Sequence, residues 1–159
     1  MNLRQVTHMD NTTFRELADS VFLKIKDLDL SQLSEDIAYQ IVIGYIKPAC
    51  VQFQSCSNQD LFDRDDELQQ FGFHLTDENF ELLSNYMIIS WLDSQILTTN
   101  MLKSRLSPTD FKSLNLHNQL SKVMELRTTL KSENDQLAIN KSYKDSKLFD
   151  LVTNRKKVR

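Results

Sequence analysis

Apolar residues recur at intervals of three and four along much of this chain, which is the period of an amphipathic helix. The strongest such stretch runs from Leu75 to Leu92. Thr76 is a favourable N-cap, and Asp77 and Glu78 place carboxylates in the first turn, where the helix dipole stabilises them. One broad face carries Phe80, Leu83, Met87, Ile88, Trp91 and Leu92. Because the end of this helix is apolar most of the way round, we expect it to be central and covered on more than one side.

Another helix is predicted over residues 11–29. Thr13 and Glu16 have the spacing of a capping box at its start. The apolar residues Phe14, Leu17, Ala18, Val21, Phe22, Ile25 and Leu28 then form a stripe at helical spacing. This stripe predicts a helix that packs along one face.

The next predicted helix begins at the Ser34 cap and extends to Phe53. Pro48 interrupts it, because a proline inside a helix clashes with the carbonyl four residues earlier. That residue is Gly44, which can relieve the crowding by local bending, so we interpret the segment as one kinked helix. The alternative is two helices that meet near Lys47, since residues before proline disfavour the α region.

Residues 55–74 are predicted to be a loop or short-helix connection into the central helix. After Leu92, the segment 93–115 is punctuated by Ser, Thr and Pro, which predicts one or two brief helices. A long, more polar helix follows from Leu116 to about Tyr143, with Leu116, Leu120, Val123, Leu126, Leu130 and Leu137 on one side. Its second half has few apolar residues, so we expect it to project from the body or to pack against another subunit.

Only two glycines and two prolines occur in 159 residues, too few for the turns of an all-β or doubly wound fold. The sequence therefore predicts a mainly α protein, a small multi-helix bundle with a long C-terminal helix and an extended C-terminal arm. We divide it into an N-terminal segment (1–10), a helical domain (11–143) and an arm (144–159). The chain has no apolar run long enough for a transmembrane helix and no secretory h-region. Cys50 and Cys56 are expected to be reduced thiols of an intracellular protein.

The C-terminal arm has an apolar part followed by a basic part, although the whole chain has a net charge of −3. From Lys144 onward the formal charge is +4, which leaves −7 for the preceding body. The apolar residues Leu148, Phe149, Leu151 and Val152 need cover, which favours a docking arm over a merely solubilising terminus. The cations Arg155, Lys156, Lys157 and Arg159 could contact nucleic acid or another anionic surface.

Carboxylates are concentrated between Asp60 and Glu67, the best candidate for a Ca²⁺ or Mg²⁺ site. An EF-hand loop starting at Asp63 fails, because Leu68 stands where glycine is needed and His74 where glutamate is needed. A structural role in capping and in ion pairs, within the chain or with a neighbouring one, is favoured for this cluster. The residues expected to make such contacts are Asp63, Arg64, Asp65 and Asp66. No nucleophile, metal-ligand or phosphate-loop motif is present, so we expect no enzyme, no cofactor and no bound metal.

The middle half of the chain resembles the small neck proteins of tailed bacteriophages, which are head–tail connector, adaptor or head-completion proteins. The shared features are the D-R-D-D-x-L-x-Q-F run at 63–71, the L-T-D helix start at 75–77 and the Met87, Trp91, Leu92 helix, followed by an S-x-x-D-F step at 107–111. The chain departs from the family pattern around Trp91. The pattern has an acidic residue before the tryptophan and a basic one after it, whereas this chain has Ser90 before it and Leu92 and Asp93 after it.

The resemblance implies a virion protein without catalytic activity that forms an oligomeric ring, usually dodecameric, between portal and tail. Its partners would be the portal protein, gripped by the arm, and other neck or tail-completion proteins, with double-stranded DNA passing through the ring. An acidic body suits such a channel, because like charge repels phosphates. The alternative is a small helical nucleic-acid-binding or regulatory protein that uses the basic tail.

Overall fold

The computed structural model describes residues 10–26, 28–105 and 115–146, with the backbone alone for Leu28, Asp29 and Leu116. Six α-helices account for most of them: α1 (Phe14–Lys24), α2 (Leu28–Ser31), α3 (Glu35–Ile43), α4 (Ile46–Phe53), α5 (Asp77–Arg105) and α6 (Leu116–Asp145). A short 3-10 helix, Gln54–Cys56, follows α4, and the strands β1 (Arg64–Asp65) and β2 (Gln70–Phe71) form one antiparallel hairpin. The predicted mainly α bundle with a long C-terminal helix is therefore confirmed.

The central position predicted for the helix that starts near Leu75 is also confirmed. α5 packs against α1, α4 and α6, and α1 in turn packs against α3. Its first half is buried nearly all round, with the side chains of Leu82, Leu83, Ser84, Tyr86, Met87, Ile88, Ile89, Ser90 and Leu92 out of solvent. Thr76 caps the helix through its hydroxyl, which accepts from the Asn79 backbone N–H at 3.3 Å.

α5 does not end near Leu92, and the prediction of brief helices after that point is wrong. The helix continues to Arg105, and its 29 residues span about 43 Å. The hydroxyl groups of Thr98 and Thr99 donate to the carbonyls of Ser94 and Gln95, one helical turn back. A threonine whose hydroxyl bonds in this way is compatible with a helix interior, so the polar residues in this segment do not break it.

α1 begins three residues after the predicted start and ends five residues before the predicted end, although its capping box is confirmed. The Thr13 hydroxyl accepts from the Glu16 backbone N–H, and the Glu16 carboxylate accepts from the Thr13 backbone N–H. The helix ends at Lys24, and Ile25 is extended. The chain turns there because α3 packs back on α1, where the Tyr39 hydroxyl donates to the Asp19 carboxylate.

The segment around Pro48 forms two helices, so the single kinked helix is wrong and the alternative is closer to the structure. α3 ends at Ile43 and α4 begins at Ile46, with Gly44 and Tyr45 between them. Pro48 thereby lies in the first turn of α4, where backbone N–H groups have no partner within the helix. The break precedes the proline because a proline in the first turn of a helix removes no backbone hydrogen bond of that helix.

The hairpin is attached to the start of α1. The Phe14 N–H donates to the Gln69 carbonyl at 2.8 Å, and the Phe71 N–H donates to the Thr12 carbonyl at 2.9 Å. Phe71 is fully buried and meets the Phe14 ring edge-on, with 5.5 Å between centroids. These contacts fix one side of the hairpin to the core and leave its tip at the surface.

Candidate interaction surfaces

The acidic run folds into the tip of the hairpin, where its carboxylates stabilise the turn. The Asp65 carboxylate accepts from the backbone N–H groups of Glu67 and Leu68, both at 2.9 Å. Gln69 then takes a left-handed conformation with φ of 53°. The Asp63 carboxylate lies against Gly72 so closely that a Cβ there would be 2.6 Å from an Asp63 oxygen.

Arg64 and Asp66 are held by partners within the chain. Asp66 accepts from Lys47 at 2.7 Å and from Arg64 at 3.3 Å, and Arg64 also donates to the Leu61 carbonyl. The hydrogen bond from Lys47, the largest effect, lowers the pKa of the Asp66 carboxyl below its usual value. The four predicted contact residues thus lie together on one hairpin and have roles inside the chain. Their use between subunits stays a prediction.

Two apolar side chains are also exposed around the hairpin, one just before β1 and one in the turn. Phe62 and Leu68 are both largely exposed among the carboxylates. Single exposed apolar side chains are normal on protein surfaces, so these two do not by themselves mark a contact site. Among the residues that the structure describes, no group of three or more His, Cys, Asp or Glu is arranged to hold a metal ion.

A seam of polar contacts joins α6 to α5, and we call it the polar seam. The two helices are antiparallel along it. At one position Arg127 forms an ion pair with Asp93 (2.7 Å), and further along the Tyr86 hydroxyl donates a hydrogen bond to Asp135 (2.7 Å). Between Arg127 and Asp135 on α6, Asn134 is fully buried. Its amide donates to the Leu82 carbonyl at 3.3 Å and accepts from the Asn85 amide at 3.1 Å.

The last turn of the polar seam is centred on Lys141, which is buried although charged. Its ammonium donates to the Asn58 side chain at 3.1 Å and to Asp145 one turn further on. Asn79, also fully buried, donates to the same Asn58 oxygen. The polar second half of α6 is therefore packed on the body, and the prediction that it projects is wrong.

The ionisable groups of the polar seam have shifted pKa values. Burial raises the pKa of the Tyr86 hydroxyl, and the neighbouring Asp135 carboxylate raises it further. Burial also acts to raise the pKa of Asp135, but hydrogen bonds from Lys131 and Tyr86 outweigh it and the net shift is downward. Both shifts favour a neutral tyrosine that donates to a charged aspartate.

The predicted apolar side of α6 is only partly used for packing. Leu120 is buried and Val123 and Leu130 are half-buried, but Leu126 and Leu137 are 57% and 56% exposed. The face that meets α5 is rotated toward Arg127, Asn134, Ala138 and Lys141, so the leucines at 126, 130 and 137 lie along its edge. We call these three residues the flank stripe. Their spacing of four and seven residues places them on one line along the helix.

An open groove of about 740 Å³ lies where the end of α6 meets the start of α5, and we call it the α5–α6 groove. Its α5 wall consists of Asp77, Glu78, Glu81 and Leu82, and its α6 wall of Leu137, Asn140, Lys141, Tyr143 and Lys144. Tyr143 is 65% exposed. Within the described residues, Glu81 pairs with Lys24, whereas Asp77 and Glu78 have no ion-pair partner.

The eight arm residues predicted to bind a partner, Leu148 to Arg159, lie outside the described residues, as does the S-x-x-D-F step. Cys50 is buried, Cys56 is half-buried, and neither forms a disulfide. None of the described helices combines the length and the apolar character that a membrane span requires.

This chain matches no protein-family profile, no curated protein and no solved structure.

Proposed function

We propose that this chain is a structural neck protein of a tailed bacteriophage, a head–tail connector that joins like copies in a ring between portal and tail. The sequence resemblance suggests this class, and three of its four motifs lie in the described part of the chain. The D-R-D-D-x-L-x-Q-F run forms the exposed hairpin, the L-T-D step starts α5, and Met87 and Leu92 lie in the core.

The observation that carries the proposal is the flank stripe on α6. Two of its leucines are more than half exposed, at positions where a helix that packed only within its own chain would carry polar residues. Apolar residues at this spacing are suited to packing against another helix. A neighbouring copy in a ring would supply such a helix and would remove the stripe from water.

The charge distribution of the chain supports the same role. The formal charge of about −7 before Lys144 comes from carboxylates such as those of the hairpin. A ring of acidic subunits repels the phosphates of DNA passing through it and so lets the duplex slide. The apolar and basic arm, residues 148–159, would then bind the portal protein.

Imaging of neck complexes from particles that contain this chain tests the proposal. We expect a ring of copies between portal and tail, with neighbours in contact through the flank stripe. Leu126→Lys should reduce incorporation into particles. Leu23→Lys, at an exposed leucine on α1 and outside the flank stripe, is the matched control and should not.

Absence of the chain from assembled particles would contradict the proposal. The nucleic-acid-binding alternative is tested by DNA binding of the purified chain. Under this alternative the purified chain would bind duplex DNA, and its affinity would fall with salt concentration on a log–log slope set by the phosphates contacted.

A further inference from the structure

We infer that, in the unassembled protein, the α5–α6 groove holds the C-terminal segment of the same chain, with residues 148–152 against its apolar lining. The inference concerns the free chain and so goes beyond the proposed function. Its first support is the path of the chain. α6 ends at Asp145, Ser146 is extended, and Tyr143 and Lys144 line the groove. The segment therefore leaves the last described residue at the rim of the groove.

The length of this segment is ample for the path. Thirteen residues follow Ser146. At about 3.3 Å per residue they could span about 43 Å if extended, as long as α5 itself. Two or three residues are enough to reverse direction after α6. The apolar residues at 148–152 would come directly after such a turn.

The apolar content of the two surfaces is complementary. Leu137 and Tyr143 present exposed apolar surface to the groove, next to Leu82. In the segment, four of the five residues from 148 to 152 are Leu, Phe, Leu and Val. Each surface is unfavourable in water, and burying them together removes both costs.

The charges of the groove favour placing the basic end of the segment at its α5 wall. Asp77 and Glu78 lie at the start of α5 and have no ion-pair partner among the described residues. In the docked state they would face a segment that ends in Arg155, Lys156, Lys157 and Arg159. Lys144, on the α6 wall, has the same sign as these cations. The basic end is therefore expected to lie toward α5.

The covalent connection to α6 favours occupation of the groove by the chain's own segment over that of a second copy. A short flexible connection gives an effective concentration in the millimolar range, far above the concentration of other copies in dilute solution. Docking would also cover Leu137, one residue of the flank stripe. If the proposed function holds, an arm seated in the groove is unavailable to the portal, so release of the arm would accompany assembly.

Hydrogen–deuterium exchange on the full-length chain tests the inference. Leu137→Lys places a charge in the groove that opposes both the apolar contact and the cations of the segment. Leu126→Lys is the control, since Leu126 lies on the same helix, outside the groove, with nearly equal exposure. We expect Leu137→Lys to speed exchange in residues 147–159 by about tenfold, which corresponds to about 1.4 kcal/mol. Leu126→Lys should leave it unchanged.

Cysteine cross-linking identifies the chain that fills the groove. With Leu137→Cys and Phe149→Cys in one chain, mild oxidation should give a disulfide that migrates as a monomer, mapped by mass spectrometry to keep it apart from Cys50 and Cys56. Exchange of residues 147–159 at the rate of an unstructured peptide in the unaltered chain would overturn the inference. A disulfide found only between two chains would also overturn it. Neither measurement involves portal or ring, so its failure is separate from failure of the proposed function.

Discussion

Asn134 provides the sharpest test of how α6 is held on the body. It is fully buried in the polar seam, with hydrogen bonds to the Leu82 carbonyl and the Asn85 amide. Asn134→Ala removes both bonds and leaves the Asn85 amide without that acceptor. Because no large apolar side chain of α6 is buried beside it, packing cannot compensate for the loss.

The expected magnitude follows from these two bonds. At about 0.5–1.5 kcal/mol each, their loss lowers the free energy of unfolding by about 1–3 kcal/mol. Alanine favours a helix over asparagine by up to about 0.7 kcal/mol, which offsets part of this loss. Asn140→Ala is the matched control, because it gives the same helix gain on the same helix. It removes one exposed bond, from Gln136.

Urea unfolding followed by far-ultraviolet circular dichroism and by fluorescence of Trp91, the single tryptophan, measures the difference between the two variants. We expect Asn134→Ala to be less stable than Asn140→Ala by about 1–3 kcal/mol, equivalent to a melting temperature lower by at least about 2 °C. Equal stability of the two variants would refute the reasoning. It would mean that the polar seam contributes nothing to the attachment of α6.

Three other predictions follow from single groups. Burial raises the pKa of the Cys50 thiol to about 11, so at pH 8 a thiol reagent should modify Cys56 rapidly and Cys50 only on unfolding; two fast equivalents would contradict this. Gln69→Gly should raise the free energy of unfolding by up to about 1 kcal/mol, because glycine adopts a positive φ without strain, whereas Gln69→Ala should not; urea titration of both checks it. The pKa of Asp135 is lowered in the folded state, so its contribution to stability is complete above about pH 4 and is lost as pH falls through the folded value. Asp135→Asn should therefore flatten the acid side of the stability–pH curve, and an unchanged acid limb would count against the assignment.

Local patterns predicted several parts of the fold correctly. The capping box at Thr13 and the cap at Thr76 depend on residues within one turn, so the sequence contains all the information needed to place them. The central position of α5 could also be predicted, because a helix that is apolar on several sides has to be buried on several sides. The acidic run could be assigned to capping, but its hairpin geometry depends on Phe71 packing against Phe14 in a distant segment.

Helix boundaries were set by contacts that the local sequence does not contain. Ser and Thr residues after Leu92 suggested a break, yet their hydroxyls bond to their own helix and α5 continues. Pro48 suggested a kink, but a break at Gly44 places it in the first turn of a new helix. In each case the polar or cyclic side chain is compatible with two backbone arrangements, and packing selects one of them.

What the sequence alone determined is the α class, the central helix, the start of each well-capped helix and the acidic and basic ends of the charge distribution. These follow from residue spacing and from single-turn hydrogen bonds, which are local. Which face of α6 is buried depends on tertiary contacts. Leucine spacing pointed to Leu126 and Leu137, but Asn134 and Lys141 are buried instead, because Leu82, Asn85 and Asn58 supply partners on the opposite surface. A buried polar group is stable only where such partners exist, and those partners are distant in sequence.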